Sequence, residues 1–261
     1  MKISVITPSY NSARFLERTI ESIHNQGFAD IEHLVIDGGS TDGTLEILRR
    51  NDHRVRWVSE PDNGQSDAIN KGLRMSTGDI VAFLNADDTY EPGALTRVAD
   101  YFEQHPHSWW VYGKCRIINE HDREIRRPIT WYKNLLLRKY SYAKLLCENF
   151  ISQPATFWRR ELHDEVGYLN EHEHFTMDYE FWLRLGRRYP PGVIEAYLAN
   201  FRMYTDSKSG SLANPQFEDE LRIAKAYSEG ARWPILLHQI NYFKIVWIYR
   251  SMAAVRRWSL R

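Results

Sequence analysis

The first hundred residues alternate short apolar, β-branched runs with stretches whose apolar residues recur at helical spacing. Each apolar run predicts a buried strand, and the four runs are residues 3–7, 33–36, 55–58 and 80–84. Helices are predicted after them around residues 16–23, 45–48, 65–75 and 92–104. Four strand–helix alternations in so short a span predict an α/β fold with a mostly parallel, doubly wound sheet and flanking helices.

Beyond about residue 109 the pattern is less regular but still that of a folded chain. Residues 110–118 and 124–129 flank turn-forming residues, which predicts a β-hairpin. A helix, a strand, a second helix and an extended segment are predicted over residues 135–146, 155–158, 178–188 and 193–203. No linker rich in Gly, Ser or Pro separates these elements from the first half. We therefore expect one continuous domain that ends in a helical C-terminal segment.

The composition is that of an ordinary globular protein, with 43% apolar and 26% charged residues among 261. Lys and Arg number 34, as do Asp and Glu, so the formal net charge is zero. A neutral chain lacks the basic field of nucleic-acid-binding proteins, and we expect no nucleic-acid partner. Cys115 and Cys147 are too few for a disulfide framework and fit a reducing compartment.

Targeting signals are the next feature that the sequence can exclude. The first residues lack the apolar stretch and small-residue cleavage site of a signal peptide. No window of about 18 residues is free of charged side chains, so a membrane-spanning helix is not expected. The expected location is the cytoplasm, with a peripheral position on the inner face of the plasma membrane left open.

Acidic side chains follow the second, third and fourth strands at the point where each ends. Asp37 ends the second strand, Asp62 and Asp67 follow the third, and Asp87 and Asp88 follow the fourth. In an open parallel sheet these ends meet at one edge, which is where ligands bind. Each residue alone could be a turn former or a helix cap. Together they favour a site for a divalent cation with a phosphate ester, or for a ribose or base that offers hydrogen-bond donors.

Several segments closely resemble the inverting family 2 glycosyltransferases of GT-A fold. They are VITPSYN at residues 5–11, IDGGSTDGT at 36–44 and NADD at 85–88. Residues 60–72 are similar to the subgroup found in bacterial polysaccharide and O-antigen assembly, and the resemblance resumes at 153–157 and 177–182. It implies a Rossmann-like sheet that binds a nucleotide-sugar donor. Carried over, it implies that Thr7, Pro8 and Tyr10 line the pocket for the nucleotide base.

The resemblance also implies roles for the acidic residues. Asp37 would accept a hydrogen bond from the base, and Asp67 would face the ribose or base, although Asp67 is equally well read as a helix first-turn acid. The metal-binding motif of the family would consist of Asn85, Ala86, Asp87 and Asp88. Asp88 would bind Mn²⁺ or Mg²⁺ directly, with Asp87 on the ribose or a metal-bound water. Many relatives have Asp where this chain has Asn85, so a direct contact from that position is open.

Asp178 matches the position of the family's general base, which takes the proton of the acceptor hydroxyl as it attacks the anomeric carbon. A carboxylate at a helix N-terminus stays ionised because the helix dipole lowers its pKa. Glu180 competes for the role from a different face of the same helix, and the structural alternative for Asp178 is a helix N-cap. The metal fits this chemistry, because a cation that bridges the phosphates stabilises the leaving diphosphate.

Two further sets of residues are candidates without a motif. Many relatives have a His after the late strand, where residues 201–211 have none, so Arg202 or Lys208 could hold the diphosphate instead. The aromatic second half offers Trp109, Trp158 and Trp182 as acceptor contacts, although buried aromatic residues are more often core.

The C-terminal residues 232–261 combine six basic residues with several aromatic ones and contain no carboxylate. Arg232, Gln239, Arg250 and Arg257 fall on one helical stripe, while Lys244 and Arg256 lie off it. One interpretation is a helix on an anionic membrane surface, with Trp and Tyr at headgroup level. The other is a helix packed on the domain with a basic solvent face. Residues 1–100 hold 16 acidic and 10 basic side chains, so the neutral total is a cancellation between the two ends.

The predicted function is that of a metal-dependent inverting glycosyltransferase. The donor would be a nucleotide sugar, with UDP as the preferred nucleotide, and the acceptor a glycan or polyprenyl-linked glycan. Residues 1–115 would bind the donor, 116–205 the acceptor and base, and 206–261 would form a loop and basic aromatic helices. The alternatives are a sugar-1-phosphate nucleotidyltransferase, whose usual Gly-rich loop is missing from residues 8–18, and a non-catalytic nucleotide-sugar-binding module.

Overall fold

A computed structural model describes residues 1–204 and 216–243 of the chain. These residues form a mixed sheet of eight strands in the order β3-β2-β1-β4-β7-β6-β8-β5. The strands are β1 Ile3–Ser9, β2 Ile31–Asp37, β3 Arg56–Ser59, β4 Ile80–Phe83, β5 Thr89–Tyr90, β6 Trp110–Ile118, β7 Thr156–Arg159 and β8 Gly192–Arg202. The α/β class predicted from the alternating pattern is confirmed.

The sheet is parallel where the sequence alternates strictly and mixed beyond that point. Ile3 of β1 pairs with Ile31 of β2 on one side and with Ile80 of β4 on the other, in parallel register. β3 continues this half in parallel beside β2. β7 runs antiparallel between β4 and β6, β8 lies parallel to β6, and β5 lies antiparallel to β8. The parallel half therefore carries the first three βα connections, and their loops meet at one edge.

Helices cover both faces of the sheet, and two further helices follow the last strand in the chain. They are α1 Leu16–His24, α2 Thr44–Arg50, α3 Gln65–Met75, α4 Ala94–Gln104, α5 Arg127–Leu137, α6 Tyr142–Cys147, α7 Leu162–Val166, α8 Met177–Arg188, α9 Gln216–Tyr227 and α10, residues 232–243. The helical C-terminal segment is thus present as far as the described residues extend. None of the helices in residues 1–204 and 216–243 is long and apolar enough to cross a membrane.

Two predicted elements of the second half are wrong. The expected hairpin is reduced to one bridge between Ile118 and Glu124, after which Arg126 adopts a left-handed φ of 52° and α5 begins. Pro128 lies in the first turn of α5. Proline is favoured there because its fixed φ suits a helix and the N–H that it lacks would have no intrahelical partner. The single helix expected over residues 135–146 is divided into α5 and α6, because the side chain of Ser141 caps the N-terminus of α6.

The core lies on both faces of the sheet because successive strand residues point to opposite sides. Ile6 and Phe83 pack on one face with α3 and α8, whereas Val5 and Ala82 pack on the other with α1 and α4. These layers hold the carboxyl ends of β1, β2 and β4 in fixed positions at one edge of the sheet.

Candidate active site

A cavity of about 1470 Å³ opens at the carboxyl ends of β1 and β4 in the described part of the chain. Its wall is built from loops after the strands, from α5 and from the first turns of α8 and α9. The lining residues fall within the segments 8–15, 61–68, 83–87, 126–133, 148–154, 174–178, 201–204 and 216–220, together with Gly38, Cys115, Ile117 and Asn241. Parts of the chain that are far apart in sequence therefore converge on one space.

The first strand contributes two of its three predicted residues to this wall. Pro8 and Tyr10 line the cavity, and the Tyr10 side chain is 66% exposed. Thr7 lies behind them, fully buried, with its Oγ1 hydrogen-bonded to His33 Nε2 at 2.9 Å. Burial lowers the pKa of His33 to about 3, so this ring is neutral. The structure thus places Thr7 beneath the predicted base pocket, where it supports the wall.

Asp37 holds the loop that follows β2. Its carboxylate is fully buried, and Oδ2 accepts hydrogen bonds from Gly39 N at 3.1 Å, Ser40 N at 2.9 Å and Ser59 Oγ at 2.7 Å. Oδ1 accepts one more from Ser40 Oγ at 2.5 Å. Asp37 is absent from the described cavity wall, which the neighbouring Gly38 joins. The carboxylate therefore shapes the loop and does not itself reach the cavity.

Asp62 is the carboxylate of this region that reaches the cavity, and the sequence noted it only as one member of an acidic cluster. Its Oδ1 accepts a hydrogen bond from Gly64 N at 2.8 Å. A Cβ atom at position 38 would lie 2.5 Å from Asp62 Oδ2, so a side chain there would displace the Asp62 carboxylate from its present position. Asp67, by contrast, accepts a hydrogen bond from Asn63 N at 2.9 Å, pairs with Lys71 and lies off the described wall.

The acidic motif after β4 divides between wall and interior. Asn85, Ala86 and Asp87 line the cavity, and Asp87 Oδ2 accepts a hydrogen bond from the Tyr204 hydroxyl at 3.2 Å. Asp88 is fully buried and is not among the described lining residues. Its Oδ1 accepts from Arg202 N at 2.7 Å and its Oδ2 from Asn85 Nδ2 at 3.2 Å. Asn85 therefore acts here as a donor that fixes Asp88.

The charges of this motif are only partly balanced within the protein. Burial raises the pKa of Asp87, and it raises the pKa of Asp88 well above the usual value, with the Asp87 charge adding to the effect. The hydrogen bond from the Tyr204 hydroxyl and the Arg202 charge act against this rise at Asp87, and the hydrogen bond from Arg202 N and the Arg202 charge act against it at Asp88. The pair therefore favours a bound proton or a bound cation.

Arg202 connects the motif to β8 and is not free to act as a surface cation. Its side chain is fully buried, Nη1 donates to Asn119 O at 2.8 Å, and Asp122 lies 2.6 Å from the same atom. Only Nη2 is buried without a hydrogen-bond partner. Most of the guanidinium is thus used inside the protein. The other candidate for the diphosphate, Lys208, lies outside the described residues.

The residues at this edge suit a cation that is held mainly by a ligand. Within residues 1–204 and 216–243 no group of three or more His, Cys, Asp or Glu side chains is placed to hold a metal. Mg²⁺ is commonly bound by one or two carboxylates together with substrate phosphates and water. Asp87, which lines the cavity and carries a raised pKa, fits that kind of contact.

Asp178 lies in the first turn of α8 and lines the cavity. The N-cap of this helix is Thr176, so the N-cap alternative for Asp178 is wrong. Glu180 points into a different environment: it is buried, pairs with Arg184 at 2.8 Å and accepts a hydrogen bond from the Tyr227 hydroxyl. The two acidic residues are thus separated by helix geometry, and only Asp178 belongs to the described cavity wall.

Gln153 and Glu220 line the cavity, and the sequence-based hypothesis gives neither of them a role. Gln153 donates from Nε2 to Phe83 O at 2.6 Å, and its Oε1 lies 3.5 Å from Asn85 Nδ2. Gln153 belongs to the segment 153–157 that resembles the family, but the resemblance gave it no role. Glu220 of α9 accepts at Oε1 from Asn149 Nδ2 at 3.2 Å and Gln216 Nε2 at 2.9 Å. Burial raises the pKa of Glu220 to about 7. No sequence motif could have identified Glu220.

The tryptophans suggested as acceptor contacts do not lie at this cavity. Trp158 and Trp182 are fully buried in the core with ring centroids 5.8 Å apart. Trp109 packs against Tyr189 at 5.1 Å and is not among the described lining residues. The suggestion is wrong because Trp158 and Trp182 belong to the core between α8 and the sheet, and Trp109 packs against that core.

Comparison with known proteins identifies the family. Residues 4–167 match the family described as Glycosyl transferase family 2. The chain belongs to glycosyl transferase family 2. The predicted family, and with it the glycosyltransferase class, is confirmed. A PGL/p-HBAD biosynthesis glycosyltransferase of Mycobacterium bovis is 29% identical over 99% of this chain and 97% of its own length.

Longer relatives are also similar to this glycosyltransferase. Chondroitin synthase of Escherichia coli is 28% identical over 85% of this chain and 32% of its own length. An uncharacterised glycosyltransferase of Nostoc is 38% identical over 40% of this chain and 33% of its own length. The chain thus spans about a third of the length of these two relatives.

Solved structures confirm the GT-A fold. S. aureus TarS 1–349 in complex with UDP-GlcNAc aligns with a TM-score of 0.69 at 20% identity, over 88% of this chain and 67% of that one. Mannosyltransferase PcManGT from Pyrobaculum calidifontis, in complex with GDP-Man and Mn²⁺, aligns with a TM-score of 0.65 at 19% identity, over 98% and 79% of the two chains. At this identity the likeness concerns the fold alone.

Proposed function

We propose that this family 2 glycosyltransferase transfers a sugar with inversion from a nucleoside diphosphate donor, with UDP preferred, to a glycan or polyprenyl-linked glycan. The observation that carries the proposal is that Asp87 and Asp178, from distant parts of the chain, line the same cavity. One can serve the leaving group and the other the attacking hydroxyl. Residues 1–115 would then bind the donor, 116–205 the acceptor and base, and 206–261 would form the C-terminal segment.

At the donor end, Pro8 and Tyr10 would contact the base, with Asp62 available for a hydrogen bond to the base or ribose. Thr7, Asp37 and Asp67 would lie behind this wall and hold it in place. The hydrogen bonds that Asp37 accepts keep the loop after β2 in one conformation, which lowers the entropy lost when a nucleotide binds.

At the phosphate end, Asp87 would hold Mn²⁺ or Mg²⁺ together with the donor phosphates, and Ala86 would pack beside them. When bound, the ion would stabilise the negative charge that develops on the leaving diphosphate. Asp88, expected from the sequence to bind the ion directly, is fully buried behind the described wall and would instead support the site by holding the backbone of Arg202 and the amide of Asn85 in place. The Mn²⁺ in the structure of PcManGT with GDP-Man supports a cation in this fold.

At the acceptor end, Asp178 would take the proton of the attacking hydroxyl while that oxygen bonds to the anomeric carbon from the side opposite the diphosphate. The N-terminal end of α8 favours the ionised carboxylate that a base requires. Glu180 is already engaged by Arg184 and Tyr227, which supports Asp178 for this role.

The acceptor and the cellular location rest on more general observations. The names of the relatives, chondroitin synthase and PGL/p-HBAD biosynthesis glycosyltransferase, support a glycan acceptor in general. The carboxylate-free residues 232–261 support a peripheral position of a cytoplasmic enzyme on the inner face of the plasma membrane. Of these residues, 244–261 lie outside the described part of the chain.

The proposal is tested with a panel of nucleotide sugars, with and without Mn²⁺, by measuring donor hydrolysis and transfer. The Asp178→Asn variant should lower kcat for transfer by about 10²–10⁴-fold, because the amide cannot accept the proton. Its donor affinity should be unchanged, since Asp178 lies at the acceptor end. Asp164→Asn, an exposed acid of α7, is the matched control and should behave as the wild type.

Two results would contradict the proposal. Full transfer activity in Asp178→Asn would exclude this residue as the base. Binding of a nucleotide sugar by the wild type, without hydrolysis or transfer from any donor, would instead favour a non-catalytic module.

A further inference from the structure

The exposed large apolar side chains of the described residues are concentrated on two helices. Apart from Met1 and Tyr10, all of them lie on α5 or α10. They are Ile129, Trp131, Tyr132 and Leu135 on α5, and Trp233, Leu236, Leu237, Ile240 and Phe243 on α10. Such a concentration is the usual mark of an interaction surface, whereas single exposed apolar residues need no explanation.

On α5 the apolar residues form the centre of the solvent face. Trp131 and Leu135 are four residues apart and lie on one stripe, with Arg127 and Arg138 along its edge. Thr130 and Leu137, on the opposite side of the helix, are buried. The exposed face therefore has an apolar centre and cationic margins, the reverse of a helix that only packs on a core.

α10 also exposes an apolar face, with Arg232 at its first residue. Trp233, Leu236 and Ile240 follow each other at spacings of three and four residues and point to solvent. The inner side is attached by His238, which is 5% exposed and whose Nδ1 lies 2.7 Å from Leu146 O. The basic solvent face considered for this segment is thus not what the described residues 232–243 present, since their exposed face is mostly apolar.

The sequence around both helices is free of carboxylates. Residues 126–147 contain six basic and no acidic residues, and so do residues 231–261. Arg127 and Arg138 pair with Glu124 and Glu195, at 3.4 and 3.5 Å, but these pairs are exposed and such pairs contribute little. Although the whole chain has zero net charge, these two segments are cationic and their helices expose apolar faces. The acidic residues of the donor end lie in a different part of the sequence.

Both helices border the same cavity. Tyr132 and Lys133 of α5 line it, as does Asn241 of α10. They also hold the segment between α6 and β7: the Tyr132 hydroxyl donates to Glu148 Oε2 at 2.8 Å, and Asn241 Nδ2 donates to Cys147 O at 3.4 Å. A ligand that covered both helices would therefore lie at the rim of the candidate active site.

We propose that α5 and α10 together form a docking surface for an anionic lipid bilayer. Apolar and aromatic side chains with cationic margins are the chemistry of helices that lie in the headgroup region. A second copy of the chain fits less well, because pairing these faces would bring cation against cation. The proposal rests on the peripheral membrane position proposed above and extends it to α5, which has no part in the C-terminal segment; it does not depend on the proposed transfer activity.

The test is flotation of the full chain with vesicles of phosphatidylcholine, alone or with about 30% phosphatidylglycerol, at low and high salt. Binding to the anionic vesicles should exceed binding to the neutral ones by at least about tenfold and fall with salt. Trp131→Ser with Leu135→Ser should reduce it by about tenfold or more, as should Trp233→Ser with Ile240→Ser. None of these four side chains lines the candidate active site.

The charge contribution has a matched control. Arg127→Glu with Arg138→Glu should lower vesicle binding, whereas Arg49→Glu with Arg50→Glu on α2 should not, although those arginines are also exposed and paired. Circular dichroism and thermal unfolding establish that each variant is folded. Unchanged donor hydrolysis in solution separates loss of docking from loss of the site.

Three results would overturn the proposal. The first is equal recovery of wild type and variants with anionic vesicles, and the second is binding that the α10 substitutions abolish and the α5 substitutions leave intact. The third is a dimer in lipid-free solution that the same substitutions dissociate, without any vesicle binding, because a second copy would then cover the surface.

Discussion

At the scale of single residues, the carboxylates at the edge of the sheet divide by what surrounds their oxygen atoms. Asp37 and Asp88 accept hydrogen bonds at both oxygens and are fully buried, so they shape loops. Asp62, Asp87 and Asp178 line the cavity. A buried carboxylate that is satisfied by N–H and O–H donors contributes order to a site. Direct contact with a ligand is therefore proposed for Asp62, Asp87 and Asp178.

Glu220 provides a prediction at the same scale. Burial raises its pKa to about 7, against the hydrogen bonds from Gln216 and Asn149 and with the Asp178 charge adding to the shift. The folded chain therefore keeps a proton that the unfolded chain releases near pH 4.5. Relative to Glu220→Gln, the free energy of unfolding of the wild type should fall as pH rises from about 4.5 to about 7, by up to about 3 kcal/mol.

Urea unfolding between pH 4.5 and 8 measures this difference. Glu165→Gln, at an exposed position of α7, is the control and should show a constant difference from the wild type over this range. Parallel curves for the wild type and Glu220→Gln would show that Glu220 is ionised at the usual pH and contradict the prediction.

At the scale of elements, close packing of α3 on the sheet holds the donor end. A Cβ atom on Gly72 of α3 would lie 2.4 Å from Ile6 Cγ2 of β1 and 3.2 Å from Ile36 Cγ1 of β2. Glycine at this helical position thus lets the helix approach the two strands that carry Pro8 and Asp37 at their ends. Its cost to the helix is about 1 kcal/mol relative to alanine.

The Gly72→Ala variant tests this packing. The overlap with Ile6 should exceed the gain in helix propensity, giving a net loss of about 1–3 kcal/mol in the free energy of unfolding by urea. Glu103→Ala, on the exposed face of α4, should change it by less than about 0.5 kcal/mol. A Gly72→Ala chain as stable as the wild type would mean that α3 can move away from β1 without cost.

The elements also show where sequence patterns suffice. The regular alternation of patterns predicts β1, β2, β4 and α3. A strand that is buried on both faces reads as a continuous apolar run, and a helix that packs on the sheet has apolar residues at helical spacing. Residues 124–129 are predicted as the second strand of a hairpin, whereas residues 127–129 begin α5, a helix with an apolar exposed face. A pattern analysis assigns apolar residues to the core, so a helix that presents them to solvent is misassigned.

At the scale of the whole molecule, the zero net charge is the sum of an acidic region and two basic regions of the chain. The acidic residues converge on the cavity edge of the parallel half, and the carboxylate-free segments 126–147 and 231–261 contain α5 and α10. The cavity lies between these regions, with Asp87 toward one and Lys133 toward the other. A cationic ligand and an anionic surface can therefore be bound by one neutral chain.

Binding of nucleotide and cation is the prediction at this scale. UDP with Mn²⁺ at about 100 times the dissociation constant should stabilise the chain by about 2.7 kcal/mol and raise Tm by about 5–10 °C. Because burial raises the pKa of Asp87 and Asp88, protons compete with the cation, and the shift should shrink as pH falls.

Differential scanning calorimetry with UDP alone and UDP plus Mn²⁺ makes the measurement. Asp87→Asn should lose the part that depends on Mn²⁺ and keep the part due to UDP, whereas Asp52→Asn, at an exposed position, should keep both. A shift from Mn²⁺ of equal size in Asp87→Asn would remove this residue from the cation site.

The sequence by itself determined the α/β class, the strand ends at which Asp37 and Asp87 occur, the helix start at which Asp178 occurs, and the family, because these depend on local periodicity and on motifs of neighbouring residues. Only the tertiary structure decided which carboxylates reach the cavity, that Glu180 turns away from it, and that Glu220 and α5 border it. Burial and the partners of each oxygen atom depend on segments separated by up to about two hundred residues, and no local pattern records how those segments meet.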